Sequence, residues 1–256
     1  MKTRIQPVLI TFALVCFALS PKARAIVPPP DEGYPNFNTA EGTKALFSLT
    51  TGAANLAAGW FSLFSNVDGS FNTANGAGAL LFNTADANAA FGAAALLFNT
   101  AGPDNTAVGA AALLNSTIAE QNTAIGAFAL SSSTEGDFNT ANGAWALFSN
   151  TTGEPNTAMG DSALYSNSTG NRNTAIGNPA LLANTTGPGQ HGHGMWCAPG
   201  QYDPPQNTAT GVQAVSSNTT GVVNTAMGYQ ALVSNTDGTS NTADGVDALH
   251  DDTTGR

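Results

Sequence analysis

The sequence predicts an all-β fold, a parallel β-roll or β-solenoid of stacked 17-residue coils, and three observations carry that reading. The first is spacing. Units headed by Asn begin at Asn38, Asn55, Asn72, Asn88, Asn105, Asn122, Asn139, Asn156, Asn173, Asn207, Asn224 and Asn241; nine of the eleven spacings are 17, one is 16, and the step from Asn173 to Asn207 is 34. The second is regularity within the unit, N-T-A-x-G-x-x-A-L-x-x-N-T-T-G-x-x. Position 1 is Asn, position 3 Ala and position 5 Gly in all twelve units, and position 9 is Leu in all but one, where Val215 stands. A fixed period of this kind is the mark of a repeat architecture. The third is punctuation. Gly at position 5 and the N-T-T-G run are two turn signals per unit, leaving segments of about four or five residues, the length of short strands. The stretch between the two glycines also fits one or two helical turns closed by a C-terminal Gly. A β-coil and a strand followed by a helical turn are therefore both open.

Taken in chain order, residues 1–25 have the plan of a secretory signal peptide. Lys2 and Arg4 form a positive head, Val8 to Leu19 an apolar stretch of twelve, and Ala23-Arg24-Ala25 a small-residue cleavage site. Twelve apolar residues are too few for a membrane-spanning helix, so no transmembrane anchor is expected, and the mature chain is expected outside the cell or on its surface. Residues 26–37 are a lead or N-terminal cap, in which Pro28-Pro29-Pro30 resists continued strand pairing. Residues 38–256 are the repeat array, interrupted by an irregular stretch at 190–206 that takes one unit's length. Counted as two periods, the 34-residue step gives thirteen coils, and about 4.8 Å per coil makes a rod of roughly 60 Å.

Stacking places like residues above one another, which gives each column a role. Leu at position 9 forms an apolar ladder, and Ala at positions 3 and 8 fills a thin interior. Asn at position 1 forms a ladder of amides. Gly at position 5 permits a positive φ or a close approach of backbones, and the Gly of N-T-T-G supplies a left-handed turn position. The ladder is clearest in four successive units: Asn122, Ala124, Gly126 and Leu130; Asn139, Ala141, Gly143 and Leu147; Asn156, Ala158, Gly160 and Leu164; Asn173, Ala175, Gly177 and Leu181. Position 4 differs. It holds Val108, Ile125, Met159 and Ile176 in some units, and Glu41, Asn75, Asn142, Thr210 and Asp244 in others. A buried site would not accept unpartnered acids, so this position is expected to face solvent or a partly wet interface.

Charge narrows the partners. Four of the seven basic residues lie before the cleavage site, leaving Lys44, Arg172 and Arg256 against 17 acids, a balance of −14. Such a surface repels phosphate backbones and anionic lipid, so nucleic acid is not an expected partner. Only Cys197 survives cleavage, so stability is expected from stacking without an intrachain disulfide.

The stretch 190–206 gathers His191, His193, Met195, Trp196, Cys197 and Tyr202. His191, His193 and Cys197 are ligand types that hold copper or zinc, but their spacing matches no established zinc pattern. An exposed loop, kept irregular by Gly and Pro, explains the same residues. Trp196 and Tyr202 are candidate contact residues, because aromatics dominate interface hot spots. No cofactor is implied. There is no nucleophile elbow, H-E-x-x-H, phosphate loop or dinucleotide fingerprint, and an enzyme is not expected. The G-G-x-G-x-D pattern of calcium-binding rolls is also missing. Asn115, Asn150, Asn167, Asn184 and Asn218 head Asn-x-Ser/Thr triplets, which fit glycosylation acceptors only in a eukaryotic secretory host; their turn role explains them already.

The motifs Asn122-Thr123-Ala124-Ile125-Gly126 and Asn173-Thr174-Ala175-Ile176-Gly177, each followed by A-L and N-T-T-G or its variants, resemble the head repeats of trimeric autotransporter adhesins, the YadA-like head family. They are also similar to repeats of tail-fibre-like proteins. The resemblance covers residues 38–256. It implies a left-handed parallel β-roll, a homotrimer and a role in adhesion at a cell surface. The unit here is longer than that family's usual repeat and needs a larger turn. The expected function is thus a secreted or surface-displayed adhesin-like rod that binds multivalently. Two alternatives stay open. One is ice binding through stacked Thr39, Thr73, Thr106, Thr123, Thr140 and Thr157, a row interrupted by Leu56 and Ala89. The other is a carbohydrate-active solenoid, which would need paired carboxylates in a cleft.

Overall fold

The computed structural model describes residues 35–185 and 207–255. The chain forms an all-β solenoid whose twelve strands make one parallel sheet in sequence order. The strands are β1 (Thr39–Glu41), β2 (Leu56–Ala58), β3 (Thr73–Asn75), β4 (Ala89–Phe91), β5 (Thr106–Val108), β6 (Thr123–Ile125), β7 (Thr140–Asn142), β8 (Thr157–Met159), β9 (Thr174–Ile176), β10 (Thr208–Thr210), β11 (Thr225–Met227) and β12 (Thr242–Asp244). Pairing runs unit on unit: Thr123 opposite Thr140, Ala124 opposite Ala141, Ile125 opposite Asn142. A short 3-10 turn, Pro35–Phe37, leads into the first coil.

Each coil holds one strand of three residues, where the turn spacing had led to an expectation of two longer ones. The segment after the strand is neither strand nor helix. Its residues alternate in handedness: in one coil Gly126, Phe128 and Leu130 all have positive φ, at 130°, 59° and 51°. Bulky residues rarely adopt that region. Here it is held by bonds between coils in both directions. Phe128 N–H donates back to Ala110 O at 2.9 Å, and Leu130 N–H donates forward to Ala146 O at 3.0 Å. Single turns inside the coil, Ala129 N–H to Gly126 O at 3.3 Å and Ser133 N–H to Leu130 O at 3.2 Å, are the remnant of the helical alternative. Axial hydrogen bonding therefore continues around the coil after the β backbone has ended.

The 34-residue step advances the sheet by one strand, not two. Thr174 pairs directly with Thr208 and Ala175 with Ala209, so β9 stacks on β10 without a coil between them. Among the described residues the solenoid has twelve strands, and eleven steps of about 4.8 Å make a stack of roughly 53 Å. The 16-residue unit is absorbed as quietly. Thr73 opposite Ala89 keeps the register, and the missing residue falls in the turn where Thr84 N–H meets Thr100 O at 3.1 Å.

The interior is thin and half polar. The position-9 column from Leu63 to Leu232 is fully buried, as are Ala at positions 3 and 8 through the middle of the rod. Asn at positions 1 and 12 completes the lining. Asn122 shows how a buried amide is satisfied: Oδ1 accepts from Asn139 N–H at 2.8 Å, and Nδ2 donates to Gly136 O at 2.9 Å. The second column bonds along the rod and to its own turn, with Asn167 Nδ2 donating to Asn150 Oδ1 at 2.9 Å and to Gly170 O at 3.0 Å. N-T-T-G was expected to be a turn with a left-handed Gly. Its Asn is instead an interior ladder residue, and its Gly answers to space. A Cβ on Gly153 would stand 2.5 Å from Gly170 O and closer still to Asn150 Oδ1. Gly at position 5 meets both demands: Gly126 has φ 130°, and its Cβ would lie 2.5 Å from Gly143 O.

Candidate binding face

The ladder residues are scaffold. Asn122, Ala124, Leu130, Asn139, Ala141, Leu147, Asn156, Ala158, Leu164, Asn173, Ala175 and Leu181 are all buried. Gly143, Gly160 and Gly177 repeat the positive φ of Gly126. None of these side chains can meet a partner without unfolding the coil. His191, His193, Trp196, Cys197 and Tyr202 lie outside the described residues, as does the signal segment.

The surface built by repetition is the outer face of the sheet. In a three-residue strand the middle Ala points inward, so positions 2 and 4 point out together. Position 4 faces solvent, as its mixture of residues required: Val108, Ile125, Met159 and Ile176 are each about two-fifths exposed, between 37% and 42%. Position 2 carries Thr in ten coils, each residue half-buried or exposed. Across the step between Thr174 and Thr208 the two columns remain in line.

Two threonine columns behave differently. At position 13 the hydroxyls are committed to holding coils together: Thr100 Oγ1 donates to Thr117 O at 2.9 Å, Thr151 Oγ1 to Ser168 O at 3.0 Å, and Thr219 Oγ1 to Thr236 O at 3.1 Å. The position-2 hydroxyls, from Thr39 to Thr242, make no such bond among the described residues. They are left for whatever lies outside the sheet.

Charge avoids this face. From β2 to β11, positions 2 and 4 hold no charged residue; Glu41 and Asp244 stand at its two ends. Many acids gather instead in the turn that closes the coil, as Asp86, Glu120, Asp137 and Glu154, and some of these hold structure there. Asp86 Oδ1 accepts from Ser70 N–H at 2.7 Å, and Asp137 Oδ1 from Glu120 N–H at 2.8 Å. Of the acids read from sequence as a solvated face, Asp161 accepts from Asn178 Nδ2 at 3.0 Å at the surface. Among the described residues no three His, Cys, Asp or Glu side chains come together in a way that could hold a metal.

A second surface was missed by reading the unit as a consensus. On the variable positions after the strand, aromatic rings recur in neighbouring coils and lie parallel. Phe47 and Phe64 stack at 5.4 Å, Phe82 and Phe98 at 5.6 Å, Phe128 and Trp145 at 6.4 Å, and Phe148 and Tyr165 at 5.1 Å. Lys44 Nζ lies 5.2 to 5.8 Å from the ring centres of Phe47, Phe61 and Phe64. The signal was available: each pair is separated by the coil period of 17, or by 16 in the short unit. The Asn-x-Ser/Thr triplets resolve the other way. Asn150, Asn167, Asn184 and Asn218 are buried in the second amide ladder, so their side chains are out of reach in the folded chain. Asn115 is half-buried, with Nδ2 donating to Ser131 O at 2.8 Å.

No protein-family model, curated protein or solved structure matches the chain. No helix among the described residues is long and apolar enough to cross a membrane.

Proposed function

We propose that the chain is a secreted or surface-displayed structural rod that binds multivalently, in the manner of an adhesin head. The observation that supports this most is the sheet face, which carries Thr at position 2 on ten of twelve strands in one unbroken register. A weak contact repeated along a rigid rod gains avidity of about 10² to 10⁴ when all copies can engage together. Catalytic residues are not part of this reading. The homotrimer implied by the resemblance to adhesin heads fits the parallel aromatic rings: three rods meeting along the Phe128–Trp145 and Phe148–Tyr165 side would cover them and leave the sheet face outward.

Two measurements test the reading. Light scattering on residues 26–256 should return the mass of a trimer. Adsorption to panels of glycan-coated and protein-coated surfaces should weaken stepwise as one, two and three whole 17-residue units are deleted. A binding strength indifferent to the number of units, or abolished by one point substitution, would overturn distributed binding.

A further inference from the structure

The rod reading leaves open what the sheet face touches, and on that reading we propose that its ligand is a crystalline water surface: the row at positions 2 and 4 is an ice-binding face. Three independent features of the face converge on that chemistry.

The first is the row itself. The sequence shows Thr interrupted at Leu56 and Ala89 and then by a 34-residue gap, but the fold removes the gap. Thr106, Thr123, Thr140, Thr157, Thr174, Thr208, Thr225 and Thr242 stand on eight successive coils, each paired with the next. At about 4.8 Å per coil the row runs for roughly 34 Å. That repeat is close to the oxygen repeat of hexagonal ice, so an ordered water layer can stay in step along the row.

The second is hydroxyl commitment. Threonine is common in this chain, yet the position-13 hydroxyls bond to the next coil, and those at position 2 have no protein partner among the described residues. A hydroxyl that both donates and accepts can anchor water on either side. The methyl of Thr and the neighbouring Val108, Ile125, Met159 and Ile176 leave their own waters free to order among themselves.

The third is charge. A chain with 17 acids has none on this face between its end strands. Ice is a neutral lattice, and a fixed charge would orient water against it. An anionic glycan or a basic protein surface would instead be met by charge of the opposite sign, and none is offered here.

The test uses the full mature chain and measures ice shaping and thermal hysteresis. The wild type should shape ice and depress its growth temperature. The triple variant T123K/T140K/T157K should lose both, while T152K/T169K/T220K, which places the same charge on exposed threonines of the closing turn, should keep both. T123V/T140V/T157V, which preserves shape and removes only hydroxyls, should reduce the effect with an unchanged Tm and guards against a folding defect in the lysine variant. A wild type without effect on ice, but with adsorption elsewhere graded by unit number, would overturn this inference and leave the rod reading standing. Loss of the oligomer in the on-face lysine variant would also overturn it, because a second copy would then be the occupant. Ice activity that does not depend on unit number would sink the rod reading alone.

Discussion

Asn122 and Asn139 sit one coil apart, and the side-chain oxygen of the first accepts the backbone N–H of the second at 2.8 Å. That bond explains why position 1 never varies. The strand begins one residue later, so the N–H at position 1 has no ladder carbonyl, and the amide of the preceding coil satisfies it. Position 12 carries a lighter duty, bonding the carbonyl of its own turn and the amides of neighbouring coils, and it tolerates Leu49, Ser116, Ser133 and Asp252.

The two amide columns should therefore differ in cost. Asn139→Ala strands the buried N–H of Asn156, while the carbonyl of Gly153 loses one of two donors and keeps Asn150 Nδ2 at 3.0 Å. The orphaned donor costs about 1 to 3 kcal/mol and the lost bond to Gly153 O about 1 more, so the sum is about 2 to 4. Asn150→Ser should cost about 1 kcal/mol, the scale of one net hydrogen bond, because neighbouring coils already use Ser there. Urea unfolding of both variants measures the difference, and equal midpoints would remove the distinction.

Leu147 is fully buried, while Met159 is 42% exposed on the sheet face. Leu147→Ala should cost about 3 to 5 kcal/mol, because close backbones around a thin core cannot collapse into the cavity. Met159→Ala should fall within about 0.5 kcal/mol of wild type, as surface changes usually do. Thermal unfolding followed by far-ultraviolet circular dichroism should show a large drop in Tm for the first and almost none for the second.

The Gly of N-T-T-G carries a contact that its neighbours can relieve. In the coil from Asn105 to Gln121, Ala119 takes this position, and Ser116 stands where Asn is usual. The shorter side chain makes room for the methyl. Gly153→Ala alone should destabilise by several kcal/mol, since its Cβ meets Gly170 O and Asn150 Oδ1. Adding Asn150→Ser should recover part of the loss, giving a coupling of about 0.5 to 3 kcal/mol for residues in contact. Strict additivity in a double-mutant cycle would mean that Asn150 is not what excludes the methyl.

How far the fold could be read from sequence follows from what each column demands. Leu130, Ala124 and Asn122 are fixed by burial, and burial leaves a periodic residue type that reading recovers. The sheet face at Ile125 was readable for the opposite reason, since a position that accepts both Ile and Asp faces out. The single strand per coil was not readable. Phe128 and Leu130 adopt positive φ because hydrogen bonds to both neighbouring coils hold them there, and neither residue type announces it. The missing thirteenth coil was hidden because a spacing of 34 fits a skipped coil as well as an irregular one. Only the pairing of Thr174 with Thr208 separates them. The distinction between the two threonine columns was also beyond reach, because it depends on which hydroxyls find a carbonyl one coil away.

That pairing makes the last prediction. If β9 and β10 are already neighbours, the sheet is continuous without residues 190–206. Deleting those 17 residues joins Asn173–Gly189 directly to Asn207 and restores a complete unit with its own N-T-T-G turn. A shorter connection between paired strands also lowers the entropy of closing the loop, by about 0.6 kcal/mol for each halving of its length. The deleted chain should keep its circular dichroism spectrum and unfold at the same Tm or slightly higher. Removal of residues 139–155, also 17, takes out a strand with its amide and leucine rungs. It should leave a cooperative eleven-strand solenoid of lower stability, because stability in such stacks is a sum over coils and the interfaces between them. Comparable losses of stability from the two deletions would show that residues 190–206 stack as a coil, and the direct pairing of β9 with β10 would have to be abandoned.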